Sequence, residues 1–583
     1  MRDLRGPSTL LPLLLLLACQ SDPDPQPRGP GPAQGRPPAT QLDLGDDPLA
    51  AGPVLLTGSP GGAYYKIARH LAGVVAAQGG SLEVLPTRGA IESLYLLAWG
   101  HGDFAIVQGD VLEAPRHRAA RGAVEIVGPL ITEELHAIVR RGGPVASFED
   151  LKGRRVAAGA LGSGTAMTVA DVLRVGGMGD VELVHLGLQP GLEALRAERV
   201  DALLYVGAAP LPALEGQSDL AWLSVSDATL NAYPWEQSPY LYAELTAPYS
   251  WEPGTVGTLA VPAYLVRRKE VDPKALLDAL RQAADPRSPH ALPLLDGVLV
   301  DEEPPPPAEF GAVPPAPVRS VLRLLSGPTG GGYAACGRDL GGLSAKLEVV
   351  ETAGSLRNLI LLAAAEADLA IVQGDVIEEG LLSDATRTQV GNLRLVLPLY
   401  TETLHVLTRS DSGLTSLDQL RGLPVGVGET GSGTQVTVRR LLREHGWPRG
   451  SLQARAVGGS LAWEALLGGQ LDAAFFVSSQ PIARVTQAAR FLPVEGTTAI
   501  EPAHYPWLEA PVPALGVQAF LVARADADPN TIRELVVAFF RQRDSLLGAN
   551  PRWGEVDLAG LKAYAGPLPL HPGLRQALES ELR

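Results

Sequence analysis

The chain carries one ordered set of loops twice. Gly58-Ser59-Pro60-Gly61-Gly62-Ala63-Tyr64 returns as Gly327-Pro328-Thr329-Gly330-Gly331-Gly332-Tyr333. Ile106-Val107-Gln108-Gly109-Asp110-Val111 returns unchanged at Ile371 to Val376, and Gly162-Ser163-Gly164-Thr165 returns as Gly431-Ser432-Gly433-Thr434. The offsets are 327 − 58 = 269, 371 − 106 = 265 and 431 − 162 = 269. Solenoid and propeller units run about 20–50 residues, so a period of this size duplicates a whole module, and the chain reads as two beads and not an array.

Composition fits a globular protein that can bury several cores: 583 residues, 46% hydrophobic and 19% charged. The net charge of −16 repels phosphate backbones and anionic lipid, and no Lys/Arg run offsets it, so no nucleic acid partner is expected.

The chain begins with Arg2 and Arg5, then an apolar stretch from Leu10 to Ala18 that is too short to span a bilayer, which reads as an export signal over 1–18. Leu16-Leu17-Ala18-Cys19 resembles the lipobox of bacterial lipoproteins, which implies cleavage before Cys19 and lipidation of its sulfur. Cys336 is the other cysteine, so a lipidated Cys19 leaves no intramolecular disulfide. Gln20, by resemblance to lipoprotein sorting rules, favours the outer membrane. The expected location is therefore exported and lipid-anchored, on the periplasmic or cell-surface side.

Residues 19–50 are rich in Pro, Gly, Gln and Asp and read as a tether; 301–317, with Pro304 to Pro307 and Pro314-Pro315-Ala316-Pro317, read as a semi-rigid linker. That leaves modules at 51–300 and 318–583. Each opens with a short β run (Val54–Thr57, Leu322–Leu325), a Gly-rich turn and a helix (Tyr64 to Ala76, Tyr333 to Leu343), the start of an α/β unit. Strands follow at 82–85 and 347–350, each entering a Thr-x-Gly turn, and fully apolar strands at 105–107 and 370–372 belong inside a sheet covered on both faces. The second half of each module begins at His136-Ala137-Ile138-Val139 or His405-Val406-Leu407-Thr408. Ser147-Phe148-Glu149-Asp150 and Ser416-Leu417-Asp418-Gln419 read as helix N-caps, the latter with a capping-box pattern. Strands 155–158 and 424–427 lead into Gly-Ser-Gly-Thr and a helix, and return strands fall at 261–266 and 517–522. The fold class expected is α/β, with two lobes around a cleft in each module.

Gly-x-x-Gly-Gly-x-Tyr, Thr-x-Gly, Val-Gln-x-Asp and Gly-Ser-Gly-Thr, in this order and twice, resemble the TAXI class of solute-binding proteins of tripartite ATP-independent periplasmic (TRAP) transporters. The resemblance runs over nearly all of both modules. It implies a type II periplasmic-binding-protein fold in each, closing over a small organic anion such as an acidic amino acid or dicarboxylate, with transporter membrane subunits as partners.

The candidate ligand residues lie in four loops. Ser163, Gly164 and Thr165, and Ser432, Gly433 and Thr434, join a strand to a helix N-terminus, where free N–H groups, the helix dipole and two hydroxyls favour a carboxylate; a plain N-cap is the alternative. Gly58, Ser59 and Gly62, and Gly327, Thr329 and Gly331, bring backbone close to a ligand, with Tyr64, Tyr65 and Tyr333 as aromatic walls. Ala334 replaces the second tyrosine in the second copy. Thr87, Arg88 and Gly89 match Thr352, Ala353 and Gly354 with Ser355 following, so the first copy alone offers a guanidinium, either forked onto a carboxylate or solvated. Gln108 and Gln373 end their strands at the ligand-facing edge of an open sheet, and Asp110 and Asp375 read as caps of the next helix.

His136 and His405 recur in Thr-Glu-x-Leu-His without a second His or Cys at metal-ligand spacing, and read as packed hinge residues. No His-Glu-x-x-His, Gly-x-Ser-x-Gly or Gly-x-x-x-x-Gly-Lys-Ser/Thr motif is present, so neither catalysis nor a cofactor is expected. Two rivals to solute delivery stay open: a sensor or assembly protein with degenerate clefts, and an extracytoplasmic enzyme.

Overall fold

The computed structural model describes residues 42, 44, 47–233, 235, 238–292, 321–382, 384 and 386–582. The export signal, Cys19, most of the tether and the Pro-rich linker lie outside the described residues.

The first module holds strands β1 (Val54–Thr57), β2 (Glu83–Pro86), β3 (Phe104–Gln108), β4 (Val124–Arg140), β5 (Arg155–Ala157), β6 (Glu182–Val184), β7 (Ala202–Gly207), β8 (Leu220–Leu223), β9 (Leu241–Thr246) and β10 (Thr255–Arg268). Their order is β2-β1-β3-β10-β4-β7-β5-β6, with β8 on β4 and β9 on β10. β1 runs parallel to β2 and β3, and β5 parallel to β6 and β7. The return strand β10 is antiparallel to both β3 and β4.

β4 is longer than its apolar end foretells. It pairs β10 over residues 124–134 and β7 over 134–139, so one strand passes from the first lobe to the second. The two lobes are thus joined by β4 and β10, and their facing edges are in contact, Gly89 against Ser163 and Gln108 against Gly164.

The second module repeats the plan with β11 (Leu322–Leu325), β12 (Leu347–Val350), β13 (Leu369–Gln373), β14 (Leu393–Arg409), β15 (Pro424–Gly426), β16 (Gln453–Arg455), β17 (Ala473–Ser478), β18 (Ala489–Leu492), β19 (Thr498–Ile500), β20 (Val512–Ala514) and β21 (Gly516–Arg524). Its order, β12-β11-β13-β21-β14-β17-β15-β16, matches the first strand for strand. Each module is an α/β unit of the type II periplasmic-binding-protein kind.

Alternation explains how each sheet is covered twice. Leu55 packs under the helix Ala63–Ala77, while Val54 and Leu56 face a core that extends into the second module. That shared core overturns the picture of separate beads. The helices Ala90–Ala98 and Ser355–Ala363 are buried on every side, Ala90 to Leu97 and Ser355 to Leu362 without interruption, as expected of helices that are apolar around most of their circumference. They pack on each other across the junction. The end of the segment read as tether is also seated: Leu49 is buried among second-module residues, and Arg449 donates to the carbonyls of Ala50 and Gly52, both at 2.9 Å.

At the second-lobe entry, Ser416 and Gln419 form the expected capping box. Ser147 does not cap; the Asp150 carboxylate instead accepts the Ala146 and Ser147 N–H groups, a local bond that replaces the hydroxyl cap.

Candidate functional site

The lobes of each module meet over a buried polar cluster at the C-terminal ends of β3 and β13. Gln108 closes β3, and the next residue opens the helix Gly109–Glu113, so Asp110 lies in its first turn. Asp110 accepts the Val111 N–H at 2.8 Å through one oxygen and the Thr168 hydroxyl at 2.6 Å through the other, with Tyr240 donating to it at 3.2 Å. It acts less as a cap than as a tie, since Thr168 belongs to the second lobe. Asp375 repeats this, accepting the Val376 N–H at 2.9 Å and the Thr437 hydroxyl at 2.6 Å. Burial pushes both carboxyls up to about 6, against the pull of those same bonds.

Beside them stands a buried Tyr–Glu pair in each copy. Tyr64 donates to Glu133 at 2.5 Å and Tyr333 to Glu402 at 2.7 Å. Desolvation raises Glu133 to about 8, with the Tyr64 bond opposing and Asp110 adding to the rise. Glu402 rises to about 7; there Tyr333, Gln373 and the more distant Arg552 all favour the charged form. The two phenols, read as walls, are therefore hydrogen-bond donors to carboxyls, and each is less than a tenth exposed.

The hydroxyl turns are occupied by the fold's own bonds. Ser163 caps the helix Gly164–Val175 by accepting the Ala166 N–H at 3.1 Å, and Ser432 does so for Gln435 at 3.3 Å. Thr165 accepts the Val206 N–H at 3.3 Å, and Thr434 accepts that of Val477 at 3.2 Å, each pinning the helix to its sheet. Gln108 and Gln373 lie against these helix starts so tightly that a Cβ on Gly164 or Gly433 would overlap their Oε1 atoms. Gln108 Nε2 and Gln373 Oε1 are buried without a partner among the described residues.

The remaining candidates divide. Thr87 donates to the Thr57 carbonyl and sits 2.9 Å from the Ser93 hydroxyl, while Thr352 donates to the Ser326 carbonyl at 3.1 Å and to Asn358 at 2.5 Å. Gly89 and Gly354 have φ of 142° and 125°; a Cβ on Gly89 would come within 2.7 Å of Ser163 Cα, so this turn abuts the capping turn across the cleft. Ser355 joins the Tyr333 hydroxyl at 3.3 Å and accepts the Gln373 N–H at 3.0 Å. Thr329 donates to Glu351, and the carbonyls of Ser59 and Pro328 accept the Gly62 and Gly331 N–H groups. Gly58 and Gly327 lie under the Tyr64 and Tyr333 rings. Tyr65 is half-buried, and Ser59 and Arg88 are exposed.

The hinge histidines are fully buried. Each Nδ1 meets a backbone carbonyl, Glu134 at 2.9 Å and Thr403 at 2.8 Å, and each Nε2 meets a phenol, Tyr249 at 2.9 Å and Tyr505 at 3.1 Å. Desolvation pushes both imidazoles down to about 4.

Sequence reasoning missed Glu133 and Glu402 although both lie in the repeated Thr-Glu-x-Leu-His; the histidine drew the attention. It also missed Thr168 and Thr437, four residues past the first helical glycine and so on the same helix face. Arg552, from the C-terminal segment, had no repeat to mark it. Its Nε donates to Ser479 at 2.9 Å, its guanidinium is 5.9 Å from the Tyr400 ring, and it stands next to Gly332.

Among solved structures, the chain is similar to an ancestral arginine-binding protein bound to arginine, at 17% identity and a TM-score of 0.28 over 40% of this chain and 93% of that one. It is similar to the GluR0 ligand-binding core from Nostoc punctiforme in complex with L-glutamate, at 14% identity and a TM-score of 0.26 over 40% and 92%. A third is the B. pertussis BvgS periplasmic domain, at 14% identity and a TM-score of 0.26 over 93% of this chain and 98% of that one. A family model matches each module once, at residues 55–278 and 324–503, and on that match over more than half its length the chain belongs to the NMT1-like family.

Proposed function

We propose that this is an extracytoplasmic solute-binding protein, lipid-anchored through Cys19, whose clefts capture a small organic anion for the membrane subunits of a TRAP-type transporter. The observation that carries the reading is the recurrence, at the lobe boundary of both modules, of one donor–acceptor set: Tyr64, Gln108, Asp110, Glu133 and Thr168, and Tyr333, Gln373, Asp375, Glu402 and Thr437.

Charge narrows the ligand. A carboxylate suits the N-termini of the helices Gly164–Val175 and Gly433–Glu444. Asp110, at about 6, is ionised at neutral pH, so it repels a second carboxylate and attracts an ammonium group, and an ammonium beside Glu133 draws that carboxyl into its charged form, which favours an acidic amino acid over a dicarboxylate. Binding displaces the Gln108 and Gln373 amides from the helix starts and parts the Asp110–Thr168 and Asp375–Thr437 ties before the lobes close again.

Isothermal titration of the full chain with L-glutamate, L-aspartate and succinate tests this. Heat from an amino acid but not from succinate, weakened at least tenfold in Glu133→Gln/Glu402→Gln, is expected. Heat from none of the three sinks delivery of acidic solutes.

The rival reading, an assembly or sensor protein with degenerate clefts, is favoured by one observation: the glutamine side chains occupy the space at both helix starts. In that case no solute opens the lobes, and the clefts serve as internal glue.

A further inference from the structure

A cavity of about 250 Å3 lies at the junction of the two modules and shares no residue with either cleft cluster. Trp99 and His101, just past the helix Ala90–Ala98, form one side; Arg439, Arg443, Trp447 and Arg449 of the second module form the other.

Three of these wall residues carry buried nitrogen atoms with no hydrogen-bond partner among the described residues: Trp99 Nε1, His101 Nδ1 and Arg439 Nε. Trp99 is 8% exposed and His101 4% exposed. Buried donors are ordinarily satisfied; Trp99 Nε1 and Arg439 Nε can only donate, and His101 Nδ1 donates in one of its two neutral tautomers, so this wall points to an absent acceptor.

Charge says which acceptor. Arg443 pairs with Glu379 at 3.2 Å, and Arg449 with Asp103 at 3.1 Å, but Arg439 gives one N–H to the Pro48 carbonyl at 2.7 Å while its Nε stays unmatched. Desolvation, then the neighbouring Arg449, pushes Arg439 down to about 10, still charged at neutral pH. Burial, then Arg439 and Arg443, hold His101 well below its ordinary value and therefore uncharged. Glu379, Asp103 and Asp47 oppose this charge through space, but none of them is hydrogen-bonded to the Arg439 guanidinium, whose Nε has no acceptor among the described residues.

We propose that the junction cavity binds a small carboxylate with an apolar body: the carboxylate meets the Arg439 guanidinium and the ring nitrogens of Trp99 and His101, and the body lies against Trp447. Because its walls come from both modules, occupancy fastens the junction and stabilises the whole chain by mass action. The site is independent of what the clefts bind.

Benzoate is the probe, with benzamide as its neutral counterpart. Titrated into the full chain, benzoate binds once, raises the melting temperature and keeps its heat in Glu133→Gln/Glu402→Gln, whereas benzamide is silent. Affinity falls at least tenfold in Arg439→Met. Arg443→Gln, at a side chain more than half exposed and so safe for folding, weakens binding as well by removing charge from the mouth. The proposal is overturned by an absence of benzoate binding, by benzamide binding equally well, by loss of the benzoate heat in the cleft variant, or by wild-type affinity in Arg443→Gln together with a folded Arg439→Met.

Discussion

Glu92 and Arg357 occupy equivalent positions of the two copies, 357 − 92 = 265 residues apart, and are each other's ion-pair partner at 2.6 Å, both side chains almost wholly buried. Two identical modules meeting face to face would set like charge against like at such a position, because an isologous contact brings a residue on its two-fold axis against its own counterpart. Divergence here turns repulsion into attraction. Arg357 also donates to the Leu161 carbonyl at 2.7 Å, and its backbone N–H donates to the Gly431 carbonyl at 2.9 Å. One residue of the second module thus touches both lobes of the first and the far lobe of its own.

Arg357→Met strands the Glu92 carboxylate in the core and is expected to lower the unfolding free energy by about 3–5 kcal/mol. Glu92→Leu/Arg357→Met removes both charges and should recover most of that, short of about 1 kcal/mol for the Leu161 carbonyl. Urea unfolding of the single and double variants decides it; a double variant as unstable as the single would show that packing and not charge is at stake.

The buried carboxyls set a pH dependence whose direction follows from linkage. Glu133 goes from an ordinary value of 4.5 to about 8 on folding, and Glu402 from 4.5 to about 7. A raised carboxyl contributes stability that is fully present below its unfolded value and is lost as pH climbs through the folded one. The hinge histidines, lowered from 6.5 to about 4, act in the opposite sense: their contribution is present above 6.5 and lost as pH falls through about 4. Between pH 6.5 and 8.5 the glutamates govern. The melting temperature should decline over that window and flatten in Glu133→Gln/Glu402→Gln, where a neutral amide stands in for the protonated acid. An unchanged slope in that variant would remove these two residues as the cause.

The duplication, the strand and helix order and the lobe boundary were legible because glycine turns and apolar runs are local signals. The docking of the modules was not read, although its sign lay in plain view: Ile91 to Trp99 and Leu356 to Leu362 each carry a single polar pair, Glu92-Ser93 and Arg357-Asn358, too little for the polar face an exposed helix needs. The hydroxyl turns were found, but not the backbone partners that Ser163 and Thr165 each hold, which only three dimensions reveal. The length of β4 went unseen because Gly128 and Pro129 interrupt its pattern, where the β10 pairing shifts register.

Gly164→Ala tests whether the lobes are held shut by close approach. The added Cβ overlaps Gln108 Oε1, so either the glutamine moves or the lobes part. Overpacking costs about 1–3 kcal/mol. A lower melting temperature with a larger radius of gyration by X-ray scattering is expected, whereas Gly61→Ala, with open space around its Cβ, leaves both unchanged. Equal radii for the two variants would mean that Gln108 yields and the lobes stay together.

His136 and His405 invite the last test, because their bonding dictates a tautomer. A backbone carbonyl only accepts, so Nδ1 carries the proton toward Glu134 and Thr403, and Nε2 must accept from the phenols of Tyr249 and Tyr505. Those phenols in turn accept the N–H groups of Leu211 at 2.8 Å and Ile482 at 2.9 Å, so every donor in the chain has an acceptor. Protonating Nε2 would set N–H against O–H, reinforcing the low value that burial imposes. In nitrogen-15 spectra both imidazoles should therefore stay neutral, in the Nδ1–H form, down to about pH 5, with acid unfolding following as pH approaches about 4. Tyr249→Phe leaves His136 Nε2 and the Leu211 N–H unpaired together, at a cost of about 1–3 kcal/mol for each. A Tyr249→Phe protein as stable as the parent, or a His136 ring that titrates near 6.5, would show that the hinge does not depend on this relay.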